Sequence, residues 1–197
     1  MNYYISDLHF GHTNIIRFDG RPFIGAKDME DTLIENWNRV VTSEDTGYIL
    51  GDFCLSKNEN EWIRILDKLN GDKVLIRGNH DLRNMTKELS SRFREVTPIK
   101  EITDLGRHII MCHYPILFYR SSYAENIWHF CGHTHNHTKE ELYRKEFIQK
   151  MVDDYQGEGC NCGHIINVGC MMNYMAYTPR TASELISWWK NAYSVKE

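Results

Sequence analysis

Gly47-Tyr48-Ile49-Leu50-Gly51-Asp52 and Val74-Leu75-Ile76-Arg77-Gly78-Asn79-His80-Asp81 are the stretches on which the fold turns. Each is a short apolar run that stops at glycine and a polar cluster, the pattern of a buried strand running out into a loop. Between them, Ser56 followed by Glu59 has the spacing of a capping box. Trp62, Ile65, Leu66 and Leu69 then fall on one face of a helix closed by Asn70-Gly71. Strand, helix, strand predicts parallel pairing and an α/β layered core.

The same texture extends outward. Tyr3-Tyr4-Ile5 reads as a strand that breaks at Ser6-Asp7, and Met29, Leu33, Trp37 and Val40/Val41 recur at helical spacing from Asp28 onward. Past Asp81 a short helix is expected around Lys87 to Arg92. Val96 to Ile102 and His108 to Cys112 read as strands joined through the hairpin signal Asp104-Leu105-Gly106-Arg107. The second of these ends at His113-Tyr114-Pro115, and Ile127 to Cys131 ends at Gly132-His133-Thr134-His135. Ile165 to Val168 is a further strand, and Leu185, Ile186 and Trp189 mark a closing helix. Residues 136–164 are charged and mixed, helical near Lys139 to Val152 and loose from Asp153 to Gly163. They read as a local insertion in a single domain over 1–197.

Composition narrows the function class. With 197 residues, 42% of them hydrophobic and 25% charged, the chain can bury a core and is not a disordered tract. Lys and Arg number 23 against 27 Asp and Glu, a net charge of -4 with no long single-sign block. That balance argues against a protein that coats nucleic acid, though not against a nucleic acid gripped at one point as substrate. The first residues lack a signal peptide's basic stretch and apolar run, and no apolar run is long enough to span a membrane. A cytoplasmic protein is therefore expected. Six cysteines are too few to staple a fold of this size, and Cys54, Cys112 and Cys131, in or beside apolar runs, read as free thiols.

The ten histidines are more telling, because of where they sit. Asp7-x-His9, Gly51-Asp52, Gly78-Asn79-His80-Asp81, His113 and Gly132-His133-x-His135 each follow an apolar strand. Sites in open α/β folds form in the crevice beyond the carboxyl ends of strands. Turn chemistry explains Gly, Asn and Asp there, but not a histidine in four of five places. Singly, each cluster has an ordinary reading as a turn, a helix cap or an interior ring. Together, Asp7, His9, Asp52, Asn79, His113, His133 and His135 supply two carboxylates, one amide oxygen and four imidazoles. Such a nitrogen and oxygen mixture suits Mn²⁺, Fe²⁺ or Zn²⁺ rather than Ca²⁺ or Mg²⁺. Seven donors are too many for one tetrahedral ion. With one carboxylate bridging they divide into two shells of four, the arithmetic of a two-metal centre.

This ordered series resembles the calcineurin-like metallophosphoesterases, in particular small single-domain bacterial or phage-type members. Ile166-Asn167-Val168-Gly169 and Tyr177-Thr178-Pro179 resemble the close of such chains. The resemblance implies a four-layer α/β/β/α sandwich, two mixed sheets flanked by helices, with a dinuclear site at the carboxyl strand ends. It implies Asp7, His9 and His135 on one metal, Asn79, His113 and His133 on the other, and Asp52 bridging the pair with a water or hydroxide. His80 would face the phosphoryl group and Asp81 would orient it. Many relatives carry another Asp or His soon after the bridging Asp, where this chain has Phe53-Cys54-Leu55.

The function implied is hydrolysis of a small phosphate ester, a phosphodiester by preference, through in-line attack of the bridging hydroxide. A metal-binding scaffold with little catalysis and a nuclease using the same site are the alternatives, and a monomer or homodimer is expected. His12, Asn14 and His137 either line the cleft or belong to solvated loops. Arg17, Arg21, Tyr119 and Arg120 either meet a phosphate or form ordinary surface contacts. Cys160-x-Cys162-x-His164, with Cys170, could bind a second metal, form a disulfide or simply be thiols in a loop.

Overall fold

The computed structural model describes residues 1–155 and 163–193. Its strands form two four-stranded sheets. In the first, β1 (Asn2–Ile5), β2 (Thr46–Ile49), β3 (Asp72–Ile76) and β4 (Glu95–Thr97) lie in sequence order, and every ladder is parallel. In the second, β5 (Ile99–Asp104) and β6 (Arg107–Cys112) form an antiparallel hairpin, and β7 (Ile127–Cys131) and β8 (Ile165–Asn167) continue in parallel. The hairpin turn places Leu105 and Gly106 at φ 49° and 78°, the doubly left-handed turn that matches strand twist. The second sheet is mixed as expected. The first is parallel except at its edge, where Tyr4 pairs antiparallel with Arg180.

One proline makes this arrangement. The apolar pattern reads Val96 to Ile102 as one strand, but the chain divides at Pro98, with β4 in the first sheet and β5 in the second. Proline cannot donate to a ladder, so a strand that continued through it would lose a bond there. The sheets also meet where Ser6, just past β1, pairs with Gly169, just past β8. Between them Tyr4 stacks on Tyr48 at 5.3 Å, meets Phe130 edge-on at 5.0 Å, and donates its hydroxyl to Asp104 at 2.6 Å.

Helices flank the pair. They are α1 (Thr13–Phe18), α2 (Ala26–Val40), α3 (Glu59–Leu66), α4 (Lys87–Ser90), α5 (Lys139–Tyr155) and α6 (Ala182–Ala192). Met29, Leu33 and Trp37 of α2 and Trp62, Ile65 and Leu66 of α3 are the buried faces that the helical spacing marks. The start of α3 differs from expectation. Asn58 is its cap, accepting from the Asn60 N–H, while the Ser56 hydroxyl accepts from the Asn58 N–H one turn earlier. The closing helix α6 does carry a complete capping box, Thr181 with Glu184. Among the described residues no helix is long and apolar enough to cross a membrane.

Candidate metal centre

Strands β1, β2 and β3 point the same way, as do β6, β7 and β8, so the residues just past each strand gather at one rim. The backbone there is strained. Asp7, His9, Asp52 and His133 all lie at positive φ, between 52° and 69°, a region that non-glycine residues seldom enter. Such conformations cost about 1–3 kcal/mol each and persist only where the surroundings hold them.

Two buried charges do that holding. The Asp81 carboxylate accepts the N–H groups of Asp52 (3.0 Å), Phe53 (2.9 Å) and Gly78 (2.7 Å), tying the loops after β2 and β3 together. Arg21 is its cationic counterpart on the β1 loop. Its guanidinium donates to the carbonyls of Asp7 (2.9 Å) and Leu8 (3.1 Å) and to the Asp19 carboxylate (2.9 Å). The close approach of the loops also requires Gly132, where a Cβ would overlap the Ser6 hydroxyl and come within 2.6 Å of Asp7 Oδ2.

Within this frame the ligand atoms of Asp7, His9 and His135 lie within 4.8 Å of one another, and so do those of Asp7, Asp52 and His113. Asp7 is thus common to both groups. Asp52 Oδ2 stands 3.6 Å from His9 Nε2 and 3.6 Å from His113 Nε2, between a ring of one group and a ring of the other. Asn79 Oδ1 is 3.1 Å from His113 Nε2, and the His133 ring packs 5.1 Å from that of His113. Five of the seven expected ligands make up these two groups, and Asn79 and His133 stand beside His113 at the same rim.

The donors fit divalent cations. His113 Nδ1 lies 2.8 Å from the Leu50 carbonyl, which can only accept, so that nitrogen carries hydrogen and Nε2 faces the carboxylate and amide oxygens. His135 Nδ1 lies 2.7 Å from Asp19 Oδ1, which turns its Nε2 toward Asp7 in the same way. His9 Nε2 is buried without any hydrogen-bond partner, an orphaned atom aimed at Asp52. Burial, then the neighbouring His135 and Arg21, drive the His9 ring to its neutral, ligating form. Burial pushes the Asp7 carboxyl up, and the nearby Asp52 adds to that despite His113 and His135. Divalent cations among these groups would occupy the free lone pair and relieve the crowded carboxylates at once.

The remaining predicted residues divide. The His80 ring is exposed beside the cluster, 5.7 Å from the His9 ring, and its backbone N–H donates to Asp52 Oδ1 at 2.9 Å. Asp81 does not orient that ring, because both its oxygens are spent on backbone amides. Arg21 is not a surface arginine or a phosphate contact but a buried clamp. Tyr119 turns inward, donating to the His164 carbonyl at 3.0 Å. His12 sits with Nδ1 3.5 Å from His9 Nδ1, whereas Asn14, Arg17, Arg120 and His137 are exposed.

Cys160 and Cys162 lie outside the described residues. His164 and Cys170 stand at opposite ends of β8, the one stacked on Trp128 at 4.1 Å, the other against the Asp7 carbonyl.

Sequence reasoning missed Asp19 and a buried network under the His133–His135 loop, in which Asn167 donates to Thr134 and Glu141 while Glu141 pairs with Arg144. It also missed His129, whose Nε2 accepts the Ile116 N–H at 3.0 Å and fixes the turn after His113. A polar residue inside an apolar strand was the available signal for His129. Nothing local to Asp19 points 116 residues ahead.

Comparison with known proteins gives the same picture. The chain is 42% identical over 142 residues to the uncharacterized protein MJ1445 of Methanocaldococcus jannaschii, covering 70% of this chain and 72% of that one. It is 35% identical over 85 residues to the gene 66 protein of Mycobacterium phage L5, 40% of this chain and 39% of the phage protein. The crystal structure of AQ665 from Aquifex aeolicus, a protein of unknown function, matches with a TM-score of 0.61 and 29% identity over 95% of this chain and 98% of that one. The family model for calcineurin-like phosphoesterases matches residues 3–191, which take in both sheets and every residue of the rim cluster. With that span, and with ligand-type side chains converging beyond the strands, this chain is a member of the calcineurin-like phosphoesterase family, a family of metal-dependent phosphoester hydrolases.

Proposed function

We propose that the protein is a phosphodiesterase whose site holds two divalent transition-metal ions. Asp7, His9 and His135 would hold one, Asn79, His113 and His133 the other, and Asp52 would lie between. The orphaned His9 Nε2, buried and aimed at an Asp52 oxygen that His113 also faces, is the observation that carries this reading. When bound, such ions neutralise phosphoryl oxygens and acidify water, which makes attack at phosphorus feasible at neutral pH. The protein's own share is placement. Asp81 and Arg21 fix the loops, and the exposed His80 stands where it can donate a proton to a leaving oxygen or stabilise charge on phosphorus. Mn²⁺, Fe²⁺ and Zn²⁺ all suit this donor set, and the cytoplasm is the compartment.

The reading is tested with bis(p-nitrophenyl) phosphate and p-nitrophenyl phosphate on the purified chain. Hydrolysis of the diester should exceed that of the monoester, vanish with chelator and return with Mn²⁺. Inactivity toward both esters with Mn²⁺, Fe²⁺ and Zn²⁺ alike would leave the metal-binding scaffold as the better account.

A further inference from the structure

Helix α1 connects the first ligand loop to α2, and nothing in the family's ligand series falls within it. Its two ends nevertheless touch two of the rim histidines from behind. His12, its N-cap, reaches His9 Nδ1 at 3.5 Å, and Asp19, its C-cap, reaches His135 Nδ1 at 2.7 Å. The second contact is short, and the Asp19 side chain is only 3% exposed. We propose that Asp19 is a positioning residue for the metal position formed by Asp7, His9 and His135, and that it acts through the His135 ring. This rests on the metal reading above.

A carboxylate only accepts, so Asp19 assigns the hydrogen of His135 to Nδ1 and leaves Nε2 free toward Asp7 Oδ1, 3.8 Å away. A ring backed by a full negative charge is also a more basic donor to a cation than one backed by a neutral group. His113 offers the contrast within the same rim, since its Nδ1 is backed by the uncharged Leu50 carbonyl. The two metal positions are therefore built unequally. The second Asp19 oxygen bonds Arg21, whose other nitrogens hold the carbonyls of Asp7 and Leu8. Asp19 thus fixes one ligand directly and is tethered to the loop that carries two others. Its bond to Arg21 also defines the competing account, in which Asp19 merely neutralises a buried guanidinium.

The test is equilibrium Mn²⁺ binding to the full chain after chelation, followed by calorimetry and metal analysis, with no activity readout needed. Asp19→Ala should weaken one of the two ions about 10–100-fold, the usual effect of losing such a partner, and leave the other unchanged. Asp19→Asn removes the charge and keeps one acceptor oxygen, enough for His135 Nδ1 but not for Arg21 as well, so it should fall between, and it carries the comparison if Asp19→Ala does not fold. In a His135→Ala background the same substitution should add less than about twofold, because its route to the ion is gone. Binding of both ions at wild-type affinity by Asp19→Ala would overturn the proposal. So would a loss that persists without His135, which would place the effect on Arg21. A wild-type chain that binds no Mn²⁺ overturns the metal reading itself, a result distinct from either.

Discussion

Asp81 and His80 are neighbours in sequence with separate duties. His80 presents an exposed ring to the rim, so His80→Ala should leave metal content and stability near wild type while lowering turnover about 10²–10⁴-fold, as measured on the diester. Asp81→Asn should instead lower stability. One amide oxygen cannot accept all three backbone N–H groups, and the amide NH₂ would face at least one of them. Urea unfolding of the metal-free chain should show a loss of about 1–3 kcal/mol. At this scale the ligand types were legible because His, Asp and Asn after a strand have few other uses. The partners of those ligands were not. Asp19 meets His135, Tyr4 meets Asp104 and Asn167 meets Thr134 across long stretches of chain, and only the fold brings them together.

Elements were legible wherever one periodicity ran unbroken. The helix carrying Met29, Leu33 and Trp37 and the strand ending at Ile49 follow their patterns directly. Boundaries were harder, because a short polar side chain can serve either a turn or a cap. At α3, Asn58 supplies the cap and Ser56 an earlier turn, so Asn58→Ala should cost about 1 kcal/mol in thermal or urea unfolding and Ser56→Ala distinctly less. Equal losses would return the cap to Ser56. The division at Pro98 went unread for a related reason. Apolar residues stand on both sides of it, Val96 before and Ile99 and Ile102 after, and the missing N–H is what tells that the ladder cannot continue.

For the molecule as a whole, buried histidines set an acid limit. Burial pushes both His129 and His164 down to about 4 from an ordinary 6.5. Unfolded, each ring takes up its proton near pH 6.5, whereas folded it resists until about 4. Their contribution is therefore wholly present above about pH 6.5 and is lost as the pH falls to about 4, up to about 3 kcal/mol for each. Melting temperatures of the metal-free chain should drop steeply over that window, and a flat profile would show that the rings ionise without cost. The crossing at Pro98 has a consequence during synthesis. A nascent chain that has emerged only through β4 carries Asp7, His9 and Asp52 but neither His113 nor His135, so both ligand groups are incomplete. Metal capture therefore waits on the second half of translation, and a truncated product ending before β6 would leave the ribosome with no finished cage in which to trap an ion.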